Sequence, residues 1–245
     1  MLKLINLKKH FGGVRAVDGC SFEIKKGKIT ALIGPNGSGK STIFNLISGV
    51  LKVNSGKVIL DMKNITNLNV EDISNLGISR IFQQSRLFGN LTVKENLLLA
   101  FDNEDTKFWK NLLFVDRSSK NKEERIRKAL ASFKLDKYEN KLARDLSYGQ
   151  KRLIEIARAI IKPHKLLMLD EPVAGVTPIL RKEISRILKD LRKMGETLFV
   201  IEHDMNFILN IADEVIVLDE GKVLASGKPN EIKHNKKVLE AYLGD

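Results

Sequence analysis

The chain has 245 residues, 43% of them hydrophobic and 29% charged, a globular composition long enough to bury a core without disulfides or metal staples and neither disordered nor fibrous. Its one cysteine, Cys20, excludes an intrachain disulfide. No apolar run approaches the ~20 residues of a membrane span and the N-terminus has no long apolar leader segment, so the expectation is a soluble cytoplasmic chain. A net charge of +12 admits nucleic acid, an anionic membrane surface or plain solubility, while 6% aromatics argue against a surface that stacks single-stranded bases.

In chain order, LKLINL (2–7), VDGCSFEI (17–24) and KITALIG (28–34) alternate or run apolar between Gly12-Gly13, Asp18-Gly19 and Lys26-Gly27, which predicts strands joined by turns. A helix is predicted from Lys40, with Ile43, Leu46 and Ile47 on one face and a stop near Gly49. KVILD (57–61) and ISRIFQ (78–83) predict further strands. From about 91 to 161 the pattern becomes helical, at 92–101, 122–133 and 147–161, around a charged, irregular stretch at 102–121 that holds Trp109. The last third alternates: strand 166–170, helix 179–194, strand 197–202, helix 205–212, then strands EVIVLD and KVLAS. Leu180, Ile184, Ile187, Leu188 and Leu191 form a helical stripe that predicts an apolar face for a sheet. Alternating strands and helices imply an α/β fold with a mainly parallel, helix-covered sheet.

Three segments carry chemistry. GPNGSGKST places Gly34, Pro35, Asn36, Gly37, Ser38, Gly39, Lys40, Ser41 and Thr42 between an apolar strand and an amphipathic helix, in the pattern of a phosphate-binding loop. Its glycines let successive N–H groups turn inward on a polyphosphate at the positive end of a helix. Lys40 is placed to reach the β- and γ-phosphates, and the Ser41 hydroxyl to hold Mg²⁺. The plainer alternative, a Gly-rich turn closed by a surface lysine, leaves the strand–loop–helix context unexplained. KLLMLDEP (165–172) is an apolar strand that delivers Asp170 and Glu171 at its carboxyl edge, where ligands of parallel sheets bind. Asp170 would hold Mg²⁺ through water and Glu171 would polarise the attacking water; a strand stopped by Pro172 with both acids solvated is the alternative. LSYGQ (146–150) sets Ser147, Tyr148, Gly149 and Gln150 at a helix start. That is either a second anion site or simply an N-cap by Ser147, and spacing alone favours the cap.

Taken together, the loop at 34–42, Gln83 after a strand, LSYGQ, LDEP and His203 in VIEHDM occur in an order and at spacings that resemble the ATP-binding subunit of an ABC transporter, over essentially the whole chain. AVDGCSFEI, SRIFQQSRLFGNLTVKENLLLA, EPVAGVTP, IEHDMNFI and the ending AYLGD are similar to the ATPases of branched-chain amino-acid importers. Urea and short-amide importer ATPases resemble the chain nearly as well. The resemblance implies a phosphate-loop NTPase core with a mainly parallel sheet and an N-terminal antiparallel β region, at 1–84 and 161–245, and a helical subdomain at 85–160. It implies that Phe11 stacks on adenine, the alternative being a core aromatic of the first hairpin. Gln83 would contact Mg²⁺ and the attacking water, with Gln84 beside it leaving the register open. Ser147, Tyr148, Gly149 and Gln150 would act on ATP bound to a second ATP-binding subunit, and His203 on the γ-phosphate while holding Glu171.

Two departures stand out. Tyr148 precedes Gly149 where the family has two glycines, and Thr177 stands where the family places an aspartate. The implied cofactors are ATP and Mg²⁺. The implied partners are transmembrane permease subunits, a second ATP-binding subunit and, indirectly, a solute-binding protein, at the cytoplasmic face of the membrane. Nucleic acid is not an expected partner. A soluble ATPase of this family acting on nucleic acid or ribosomes is the alternative from another class, and it usually needs coiled coils or a second ATPase domain that 245 residues do not hold.

Overall fold

The computed structural model describes residues 1–81, 87–101, 117–161 and 163–243. In chain order the elements begin with β1 (Leu2–Phe11), β2 (Val14–Ile24), β3 (Ile29–Ile33), α1 (Lys40–Ile47), β4 (Ser55–Leu60), β5 (Lys63–Asn64), α2 (Val70–Asn75) and β6 (Ile78–Ile81). There follow α3 (Val93–Leu98), α4 (Arg117–Ser132), α5 (Tyr148–Ile161), β7 (Leu166–Asp170), α6 (Pro178–Lys193) and β8 (Leu198–Ile201). The chain continues through α7 (Met205–Ile211), β9 (Glu214–Asp219), β10 (Lys222–Gly227), α8 (Pro229–Lys233) and α9 (Lys236–Leu243). They divide into two compact units: 1–80 with 165–174 and 182–245, and 81–164 with 175–181.

The first unit contains two sheets. The expected N-terminal antiparallel region is a sheet in the order β2-β1-β4-β5, every neighbouring pair antiparallel. The second sheet has the order β10-β9-β3-β8-β7-β6; β9, β3, β8 and β7 run parallel, and β10 returns antiparallel on β9. Every residue of β3, β7 and β8 is buried, which is why those segments read as continuous apolar runs instead of alternating ones. The Phe44 ring of α1 lies 4.8 Å from the Phe199 ring of β8, so α1 is sealed onto the sheet it follows. This is the expected α/β architecture.

The second unit packs α3, α4 and α5 around Leu97, Phe101, Ile126, Leu130, Leu153 and Ile154, all buried. Thr92 caps α3 in a reciprocal box with Glu95. Buried Asn96 donates from Nδ2 to the carbonyls of Phe88 and Thr92, and its Oδ1 accepts the Phe88 N–H at 2.8 Å, which pins the loop ahead of the helix.

Several sequence expectations are corrected. Helix α4 begins at Arg117, five residues before the expected start, because RSSKN (117–121) carries no apolar residue to give a periodic signal. Helix α3 ends at Leu98, although the apolar run continues to Phe101. On α6, Ile184, Ile187, Leu188 and Leu191 are buried as expected, but Leu180 is only half-buried and lies against Gly149. The short α2, capped by the Asn69 side chain, and the C-terminal α8 and α9 were not anticipated.

Candidate functional site

Strand register assembles the candidate residues. Leu32 of β3 pairs with Ile201 of β8, and Ile201 pairs with Asp170 of β7, so three parallel neighbours end at one level. Within two residues beyond that level the chain reaches Gly34, Glu171 and His203. Strands spaced about 4.8 Å apart therefore bring the glycine-rich loop, the acidic pair and the histidine to one carboxyl edge, where open parallel sheets bind ligands.

The loop is built for close backbone approach. Gly34, Gly37 and Gly39 have φ of +151°, +78° and +101°. A Cβ at Gly34 would overlap the Leu218 carbonyl oxygen, and one at Gly39 the Ala16 carbonyl oxygen, both backbone atoms that cannot swing aside. Gly39 N-caps α1, whose first turn holds no acidic side chain to offset the helix dipole. Lys40 lies half-buried, and its Nζ donates to the carbonyls of Gly34 (2.8 Å) and Pro35 (2.7 Å). Burial lowers the Lys40 pKa and the charge of Glu171 opposes that, so these two side chains sense each other's field. Ser38 is buried and Ser41 exposed.

At the acidic pair, Asp170 is 8% exposed, which rules out the solvated alternative for this residue. Its Oδ2 accepts from Arg80 Nη2 at 2.9 Å, while Arg80 Nη1 donates to Asn45 Oδ1 (2.7 Å) and Ser48 Oγ (2.9 Å) of α1 and its C-cap. The guanidinium also lies 5.5 Å from the Phe44 ring centre. Arg80 thus joins β6, β7 and α1, a role the sequence reading missed. Glu171 adopts φ +47°, a left-handed conformation uncommon outside glycine, and its N–H donates to the Ile201 carbonyl at 3.0 Å. His203 Nδ1 lies 3.9 Å from Glu171 Oε1 and 3.8 Å from Glu202 Oε2. Glu202, also missed, is fully buried; the signal was a carboxylate ending the apolar run TLFVIE.

The Ser41 hydroxyl and the Asp170 carboxylate are hard oxygen donors of the kind Mg²⁺ prefers. Gln83, the third expected ligand, lies outside the described residues. Phe11 is 46% exposed at the end of β1, so it is not a core aromatic, and Lys9 Nζ lies 4.9 Å from its ring centre.

In the second unit, the Ser147 N–H donates to Gln150 Oε1 (2.9 Å) and the Gln150 N–H to Ser147 Oγ (3.3 Å), a reciprocal cap at the start of α5. Gly149 faces Leu180, whose side chain a Cβ there would overlap. Tyr148 is half exposed, with its ring lying over Gly175. Thr177 caps α6, its Oγ1 accepting the Leu180 N–H at 3.4 Å, with Pro178 in the first turn. Threonine and aspartate both serve as N-caps, which accounts physically for the exchange at this position.

Comparison with known proteins gives the family and the fold. Residues 17–174 match the family described as ABC transporter, and 222–245 match the family described as branched-chain amino acid ATP-binding cassette transporter. The chain is 40% identical to the probable branched-chain amino acid transport ATP-binding protein LivG of Archaeoglobus fulgidus, over 100% of this chain and 95% of that protein. It is similar to the ADP conformation of an ATP-binding cassette of an ABC transporter, with a TM-score of 0.87, 34% identity and coverage of 100% and 99%. It is also similar to a dimeric bacterial ABC transporter cassette, with a TM-score of 0.78, 28% identity and coverage of 94% and 99%. The chain therefore belongs to the ATP-binding proteins of ABC transporters, within the LivG-like branched-chain amino acid subfamily.

Proposed function

We propose that this chain hydrolyses ATP to drive an importer of branched-chain amino acids, held at the cytoplasmic face of the membrane by separate permease subunits. The observation that carries the reading is the common carboxyl edge of the adjacent parallel strands β3, β7 and β8: Asp170 ends β7, Glu171 and His203 follow β7 and β8, and Lys40 opens α1 after the loop that leaves β3. Among the described residues no helix is long and apolar enough to cross a membrane, so the pore is assigned to partners. The 40% identity to LivG supports the choice of solute, and the dimeric relative supports pairing with a second ATP-binding subunit.

In this reading Phe11 stacks on the adenine, the amides of Gly34 to Thr42 cradle the phosphates, and Lys40 exchanges its loop carbonyl partners for phosphate oxygens. Ser41, Asp170 and Gln83 would hold Mg²⁺, which supplies charge neutralisation at the phosphates. Glu171 accepts a proton from the attacking water, and His203 keeps Glu171 aimed while donating to the transferring phosphoryl group. Ser147, Tyr148, Gly149 and Gln150 complete the site of the opposing subunit. In this reading the core, expected at 1–84 and 161–245, binds nucleotide and the helical part, expected at 85–160, meets the permease; the compact units divide instead after Arg80 and His164, with 175–181 in the helical one.

The test is transport by vesicles reconstituted with this chain, its partner cassette, the cognate permeases and the solute-binding protein. Leucine, isoleucine or valine should accumulate only with interior Mg·ATP. Accumulation of urea or a short amide in their place would assign the chain to the neighbouring importer group, and uptake indifferent to ATP would contradict the reading.

A further inference from the structure

We propose that Glu202 is a positioning residue for ATP hydrolysis, its buried carboxylate setting the spacing between the turn that carries Glu171 and the segment that carries His203. The proposal rests on the hydrolytic reading above and adds a residue to it. Glu202 is 0% exposed at the end of β8. One oxygen, Oε1, accepts the backbone N–H of Val173 at 2.9 Å, two residues beyond Glu171. The other, Oε2, accepts the backbone N–H of His203 at 3.3 Å and stands 3.8 Å from the imidazole Nδ1.

An ionised carboxylate is the side chain best suited to this place, because it accepts at both oxygens and donates at neither. A serine, threonine or leucine there would be too short, or apolar, to span the two amides. Desolvating a carboxylate is expensive, and such groups persist where hydrogen bonds or charges compensate them. Burial raises the Glu202 pKa; the Val173 amide, the His203 side chain and the His203 amide oppose it, and the charge of Glu171 adds to the rise. The bond to Val173 also restrains a strained turn: Glu171 keeps φ +47° between its own N–H bond to Ile201 and an Ala174 N–H that returns to its carbonyl at 3.2 Å. Glu202 is a positioning residue and acts through Glu171 and His203.

The experiment uses the full chain as wild type, Glu202→Ala, Glu202→Gln, Glu171→Gln and the double variant Glu202→Ala/Glu171→Gln. ATP affinity is measured by calorimetry and kcat by phosphate release. In Glu202→Ala, kcat should fall about 10- to 100-fold, the scale set by ångström-size misplacement of reacting groups, with ATP affinity unchanged within about twofold, since Lys40 and the loop amides are untouched. Glu202→Gln should recover part of the loss, because its amide oxygen still takes the Val173 N–H. The double variant should lose little beyond Glu171→Gln alone, as residues acting as a unit are non-additive. Wild-type kcat in Glu202→Ala, equal losses of affinity and kcat, or full additivity in the double variant would each overturn the proposal. Should Glu202→Ala not fold, Glu202→Asp draws the carboxylate back by one methylene; reduced kcat at normal affinity supports the proposal and wild-type kcat overturns it. A wild-type chain that binds ATP and never hydrolyses it would instead overturn the hydrolytic reading.

Discussion

Glu171→Gln should lower ATP turnover by roughly 10²–10⁴, about 3–5 kcal/mol of barrier, while leaving ATP binding intact. The substitution keeps the shape of the side chain and its place after β7 but removes the basic oxygen that would take a proton from water. The left-handed backbone at Glu171 and the backbone bond to Ile201 are equally available to glutamine, so the fold should survive. Removing the negative charge also removes repulsion toward the γ-phosphate, so an ATP-dependent dimer should accumulate and disappear with ADP. Phosphate release measures the first effect, and light scattering after size exclusion measures the second, with the chain alone and with its partner cassette. Hydrolysis within a few-fold of wild type would remove the base assignment. Slow hydrolysis without nucleotide-dependent association would count against the paired site.

Arg80→Ala is expected to destabilise the first unit by about 3–5 kcal/mol, the usual consequence of removing one partner from a buried ion pair. The Arg80 and Asp170 side chains are 8% and 11% exposed, so water screens their attraction little and cannot replace the lost partner well. The truncation also strips hydrogen bonds from Asn45 and Ser48 and takes the guanidinium off the Phe44 ring. Urea unfolding should show a lower midpoint with an unchanged slope. Asp170→Asn in the same background should return part of the loss, since it removes the uncompensated charge. A loss below about 1 kcal/mol in Arg80→Ala would mean that the pair is effectively solvated.

The fold was legible where burial is two-sided or periodic. ITALI, LLMLD and LFVI could only be central strands once loops and amphipathic helices were seen between them, and their parallel pairing follows from the crossovers. Part of what was missed had little apolar content: RSSKN at the start of α4, the two-residue β5, and α2, whose sole buried residue is Ile73; α8 and α9 were missed as well, although Ile232 and Val238 on them are buried. Leu180 misled because periodicity shows that a residue is covered and not what covers it; its neighbour is Gly149, whose missing side chain makes room for it.

The site was legible where backbone chemistry dictates residue type. Gly34 and Gly39 stand against backbone carbonyls that no side chain could displace, and this necessity is what makes the loop motif readable. The roles of Arg80 and Glu202 were not legible, even though Glu202 shows as a carboxylate ending an apolar run, because each draws its role from partners far along the chain: Asp170 lies 90 positions from Arg80, and Val173 lies 29 from Glu202. LSYGQ shows the reverse. The local reading, a capped helix, is what the hydrogen bonds display, and any contact with a second nucleotide must come from a partner subunit.

The central claim, that the loop at 34–42 grips the phosphates of ATP through a fixed ammonium charge, is tested most directly by titrating Mg·ATP into Lys40→Ala in a calorimeter. Lys40 Nζ already sits among the Gly34 and Pro35 carbonyls at the helix start, so alanine removes the charge without disturbing the glycine backbone. Loss of a charged hydrogen-bond donor is worth about 1.5–3 kcal/mol, which predicts ATP binding weaker by roughly 10- to 150-fold and no measurable phosphate release. A folded Lys40→Ala chain that binds and hydrolyses ATP as the wild type does would contradict the account.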